Sequence, residues 1–250
     1  MAFFMKKLVA VLVALALVAL AVGIFTLESQ SRSEGPLYRQ LITKGAPSVS
    51  ISALDRVLAT PEKFSALILY NACGVAFHEK RLEDAGFLLY VAQLRTRFDK
   101  AMFPPTGTGG NNPMLALAAI NQQLSEVVNP AIMREPKVFA KILARVKSWN
   151  PKVAAAYEPG WEYSKKESEK HAEDAVAENR KEFMYHMNGM STLLSDGAYS
   201  SAFILVQDYN LRLNGDTNRP SKEAYDAAIQ TIKRIEKEKG INAITSVIQK

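Results

Sequence analysis

The stretch Thr60–Ala101, TPEKFSALILYNACGVAFHEKRLEDAGFLLYVAQLRTRFDKA, decides the fold. Thr60-Pro61-Glu62 has the form of a helix start: a capping oxygen, a proline in the first turn and an early acid. A helix is predicted from there to about Glu79. Lys80-Arg81-Leu82 makes a tight turn, and a second helix is predicted from about Glu83 to Ala101, stopped by Phe103-Pro104-Pro105. The first helix is apolar from Phe64 to Phe77 with Asn71 as an interruption, a length that suits a buried core helix and not a membrane span. Cys73 lies inside this run and reads as a small buried hydrophobe.

Outward from this hairpin the chain continues as helices separated by punctuation, with almost no alternating β-branched runs. On the N-terminal side, Ser52–Ala59 is a short helix, and Ser29–Ser48, with Gly35-Pro36 and Gly45-Ala46-Pro47, reads as a tether. On the C-terminal side, Asn112-Pro113 opens a helix carrying Leu115, Leu117, Ile120, Leu124 and Val127. Asn129-Pro130 and Glu135-Pro136 break the chain again, and Val138, Ile142, Leu143 and Val146 form the next apolar stripe. A long helix is predicted from Ser164 to about Ser195, its charged first half to Arg180 projecting into solvent. Ala198–Leu213 and Pro220–Lys239 complete the series, the latter striped by Tyr225, Ala228, Ile229 and Ile232 and capped by Gly240, before a short terminal helix. The expected fold class is all-α: an N-terminal membrane or signal helix over residues 1–27, a tether over 28–50, and a helical bundle or array over 51–250.

The N-terminus carries an address. Lys6 and Lys7 precede Leu8–Phe25, a run of uncharged residues with no hydrogen-bonding side chain. As a helix this run is about 27 Å long, close to a hydrocarbon layer of about 30 Å. It can be an uncleaved anchor, continued by Leu27, or a signal peptide cut after Ala21 or Gly23, where small residues stand at the required spacing. Either way the two lysines stay in the cytoplasm and the rest of the chain faces outward. The expected location is the bacterial inner membrane with the helical domain in the periplasm, or the periplasm itself after cleavage.

The chain has 31 Lys and Arg against 25 Asp and Glu, a net charge of +6. Without Lys6 and Lys7 the exported part has a net charge of +4, compatible with a surface near anionic headgroups but without the concentrated basic patch of a nucleic-acid binder. A single cysteine excludes an intrachain disulfide, so stability must come from packing.

Two segments share a pattern. Tyr70, Cys73, Phe77, Lys80, Leu82, Ala85, Leu89 and Ala92 mark one; Met187, Met190, Leu194, Gly197, Tyr199, Ala202 and Val206 mark the other. In each, an apolar helix meets a short turn, and a large apolar residue is followed three positions later by alanine. This resembles the tetratricopeptide-repeat hairpin, whose small residues let antiparallel helices approach, although the two copies are not in tandem and lack the family's aromatic start and closing proline. The resemblance implies a scaffold that binds another protein or a peptide.

Signals for catalysis are poor. There is no Gly-x-Ser-x-Gly elbow and no His-Glu-x-x-His motif. The pairs Glu167/His171 and Glu182/His186 each share a helix face, but the two histidines stand about 22 Å apart along one helix and read as surface residues, not metal ligands. Thr106–Asn112 is Gly-rich but has neither the Lys-Ser/Thr nor the strand of a phosphate loop. Glu126, beside Val127 and Val128, is the acid in the most apolar setting. No cofactor is expected.

The aromatic loop Tyr157-Glu158-Pro159-Gly160-Trp161-Glu162-Tyr163 either pins itself to the core or forms a contact surface. Tyr157, Trp161 and Tyr163, with Asn111 and Asn112 of the Gly-rich loop, are the candidate partner-binding residues. On that reading, Trp161→Ala weakens binding and leaves helicity intact. The expected function is a non-catalytic envelope protein that binds another protein, such as an immunity protein against an exported toxin or a scaffold of an envelope machine. The rival class is an enzyme acting on cell wall or lipid.

Overall fold

The computed structural model describes residues 34–43, 45–106, 113–153, 157–212 and 216–242, and among them every regular element is a helix apart from one isolated bridge, Pro105 with Tyr163. The apolar run 8–25, Asn111, Asn112 and the last predicted helix lie outside these residues. The helices are α1 (Gly35–Ile42), α2 (Pro47–Ala59), α3 (Ala66–His78), α4 (Leu82–Met102), α5 (Pro113–Met133), α6 (Pro136–Ser148), α7 (Glu169–Leu194), α8 (Gly197–Leu211) and α9 (Lys222–Lys239).

The hairpin α3–α4 is the centre of the molecule. α3 is nearly apolar all round and buries Ala66–Tyr70, Ala72, Cys73 and Ala76. α4 is buried without interruption over residues 85–92, because α3, α5, α6 and α7 all pack against it. A helix covered on every side needs no polar stripe. The turn between α3 and α4 depends on Lys80, whose φ of 60° is left-handed, while the Arg81 amide donates to the Ala76 carbonyl at 2.9 Å to close the helix end.

α3 starts later than the Thr60-Pro61-Glu62 signal predicts. Thr60 makes no side-chain cap; Pro61–Lys63 is one 3-10 turn, and Phe64 is extended. The capping residue is Ser65, whose Oγ accepts from the Ile68 amide. Glu34 reinforces it from 31 residues away: the Ser65 amide and hydroxyl donate to its two carboxylate oxygens at 3.0 and 2.6 Å.

Three further expectations are corrected. The tether over 28–50 is in part structured: α1 buries Leu37, Tyr38 and Leu41 against α2 and α3, and α2 begins at Pro47. Asn129-Pro130 does not end a helix. α5 runs through Pro130 to Met133, with Val128 and Ile132 fully buried on either side and Asn129 accepting from the Tyr90 hydroxyl at 3.0 Å. The first half of α7 does not project into solvent. Ala172 and Val176, four apart, are buried, and Arg180 donates to Asn150 at 3.0 Å. Two small apolar residues on one face suffice to seat this charged segment.

α7 and α8 turn at Asp196, which caps α8 by accepting from the Ala198 and Tyr199 amides at 3.1 Å each, but the expected second antiparallel hairpin is not formed, since the two helices meet little beyond the turn. α8 packs mainly on α9, and α9 buries Ala228, Ile229 and Ile232 on the predicted stripe. α7 lies against α4.

Candidate functional site

The most unusual chemistry in the molecule is a buried ionic cluster that local sequence conceals. Arg95 and Asp99 sit one turn apart on α4 and are 0% and 1% exposed. Arg95 Nε donates to Asp99 Oδ1 at 2.8 Å; Arg95 Nη1 donates to the Lys152 carbonyl at 2.9 Å and the Glu62 carbonyl at 3.3 Å. The Tyr157 hydroxyl donates to Asp99 Oδ2 at 2.6 Å. Arg95 Nη2 meets no hydrogen-bond acceptor among the described residues, but the guanidinium stands 4.4 Å from the Tyr157 ring centre and 5.4 Å from that of Phe98. The faces of those rings offset part of its lost hydration.

Burial opposes charge throughout this cluster. It pushes Asp99 up to about 6, against the pull of Arg95 and of the Tyr157 hydroxyl. It pushes the Tyr157 hydroxyl well up, helped by the Asp99 carboxylate. It raises Glu34, with the Ser65 bonds and Arg95 pulling the other way. At Arg95 burial works against the charge, but the Asp99 carboxylate overrides it and holds the guanidinium protonated. At neutral pH the pair is therefore ionised.

The cluster fastens the connection 149–168, which joins α6 to α7, onto the end of α4. The Lys152 amide donates to Glu62, the Thr106 amide to Glu162, and the Glu167 amide to Met102 at 2.7 Å. The Trp161 indole N–H donates to the Phe103 carbonyl at 2.8 Å, and the Phe103 ring lies 5.0 Å from Tyr163 and 5.9 Å from Tyr157. This answers how the aromatic loop is used. Tyr157 and Trp161 are buried, and Tyr163 is half-buried with its hydroxyl on Glu158. The loop is pinned to the core, so Tyr157 and Trp161 present no ring for a partner to grip.

Asp99 accepts on both oxygens, Arg95 is enclosed, and Cys73 is buried with its thiol pushed up by that burial. A reactive thiol needs the opposite environment. Glu126 is exposed and accepts from Gln122. Among the described residues no group of His, Cys, Asp and Glu is placed to hold a metal. A second buried acid, Glu236 on α9, accepts from the Tyr199 hydroxyl at 3.0 Å and ties α9 to α8.

What the sequence reading missed on the surface is Tyr185. It is 77% exposed, more than any other large hydrophobic side chain described, and its ring stands edge-on to that of His186. Phe183, Met184 and Met187, its near neighbours in sequence on α7, are half-buried against the core, and Phe183 is seated edge-on against Tyr90 at 5.1 Å, so Tyr185 faces away from them. The run Phe-Met-Tyr-His-Met at 183–187 was the available signal. No helix of the described residues is long and apolar enough to cross a membrane. The chain matches no family model, no curated protein and no solved structure.

Proposed function

We propose that this chain is a non-catalytic, protein-binding protein of the bacterial envelope, held at or delivered across the inner membrane by its apolar run 8–25. The observation that carries the binding reading is Tyr185, an exposed aromatic on a long helix seated against α4. Aromatic anchors are enriched at interfaces. The sequence resemblance of the segment Tyr70–Ala92, packed as the hairpin α3–α4, to a tetratricopeptide hairpin supports the same class, since such hairpins act as binding scaffolds; the second segment adds nothing, because α8 packs on α9 and not along α7. An immunity protein that neutralises an exported toxin is the specific version favoured; a scaffold of an envelope machine is the other.

Tagged purification from native membranes tests this. A stoichiometric partner is expected, and Tyr185→Ala is expected to weaken its retention by tenfold or more, since interface hot spots contribute about 2 kcal/mol or more. A partner toxic when expressed alone supports the immunity version; several machine components support the scaffold. Absence of any reproducible partner contradicts the reading.

A further inference from the structure

The first described hairpin of the chain, α1–α2, follows closely on the apolar run in sequence. Seven residues beyond Leu27 bring the chain to Glu34, a reach of at most about 25 Å. Glu34 is itself fixed to Ser65 by two hydrogen bonds. Once the run is in a bilayer, α1 therefore cannot move far from the membrane surface.

The outer face of this hairpin has matching chemistry. Of the large hydrophobic side chains described as exposed, Ile42 and Val49 flank a single turn, at 40% and 39% exposure. Ile42 lies three residues after Arg39 on α1; Val49 lies seven residues before Arg56 on α2. Each pair therefore shares a helix face. Arg56 donates to Gln40 of α1 at 3.2 Å on the exposed side of the hairpin, whose packing rests on Leu37, Tyr38 and Leu41. From 35 to 59 the chain has three basic residues, Arg39, Lys44 and Arg56, and one acid, Asp55, which is engaged by Arg81 at 2.6 Å.

We propose that the tip of α1–α2 rests on an anionic bilayer surface, with Ile42 and Val49 entering the headgroup layer and Arg39 and Arg56 facing lipid phosphates. Apolar side chains rimmed by arginine are the pattern of an interfacial contact. The docked domain has a fixed orientation over the membrane. This rests on the reading of 8–25 as a retained anchor, and the test separates the two.

The full chain carrying Val49→Cys is labelled with a polarity-sensitive dye; Cys73 is free but buried and does not compete under native conditions. The protein is reconstituted into vesicles of phosphatidylcholine alone or with phosphatidylglycerol. The expected result is a blue shift at position 49 in the anionic vesicles, none in the neutral ones, and none for the same dye at Gln230→Cys on α9. Arg39→Gln with Arg56→Gln should lower the docked-to-free ratio by about 25-fold, at roughly fivefold per arginine. Carbonate-resistant flotation with the vesicles reports the anchor independently. A water-like signal at position 49 in a chain that floats overturns the docking and leaves the anchor standing. Failure to float overturns both. A shift that needs native membrane proteins overturns lipid docking and assigns the tip to a protein.

Discussion

Arg95 carries a full charge with no exposed surface, and one carboxylate, two carbonyls and two aromatic rings compensate it. Removing it leaves Asp99 buried without its cation. An ordinary aspartate titrates near 3.9, and Asp99 is pushed up to about 6. Between these values the folded chain holds a proton that the unfolded chain has lost. The stability contributed by Asp99 is thus full below about pH 4 and lost as pH rises through about 6. Without Arg95 the carboxyl rises further and the loss deepens. Arg95→Met should therefore cost about 3–5 kcal/mol at neutral pH and less near pH 4, as read by urea unfolding. Glu34 is raised too and slopes the same way. Asp99→Asn isolates the Asp99 part and should flatten the profile between about pH 4 and 6; an unchanged slope would assign it elsewhere. Trp161 makes a second residue-scale prediction. Its ring is buried and its N–H is bonded, so Trp161→Ala should destabilise by about 3–5 kcal/mol, contrary to a pure binding effect. Calorimetry shows this as a lowered melting temperature. Cys73 and the Ile229/Ile232 stripe were legible because their neighbours in sequence are their neighbours in the core. Arg95 and Asp99 were not, because Leu-Arg-Thr-Arg-Phe-Asp-Lys looks like a solvated helix face until Tyr157 covers it from 58 residues away.

Among the elements, α4 and α6 are set close by Gly86. A Cβ there would stand 2.5 Å from Ile142 Cδ1 and 3.2 Å from Ile132 Cδ1. Gly86→Ala should cost about 1–3 kcal/mol through overpacking, despite alanine's better helix propensity. Ile142→Val removes the nearest atom, so the double variant should recover part of the loss. A double-mutant cycle with no coupling would contradict this contact. Element types were largely legible from apolar periodicity. Boundaries failed where a distant group decided them. α3 starts at Ser65 because Glu34 reaches it, α5 continues through Pro130 because Val128 and Ile132 are held in the core, and α1 is helical because α2 and α3 bury its face.

At the scale of the whole molecule, Tyr185 is the most exposed large hydrophobic side chain described, while Tyr157 and Trp161 of the aromatic loop are used in holding 149–168 to α4. The sequence pointed to aromatics as the contact, but it could not show which of them the fold buries. Site-specific photo-crosslinking in native membranes tests this most directly, with benzoylphenylalanine placed at position 185 and, separately, at position 163. The account predicts one partner captured at 185 and little or none at 163. Capture at 163 with none at 185 would contradict it and return the contact to the aromatic loop.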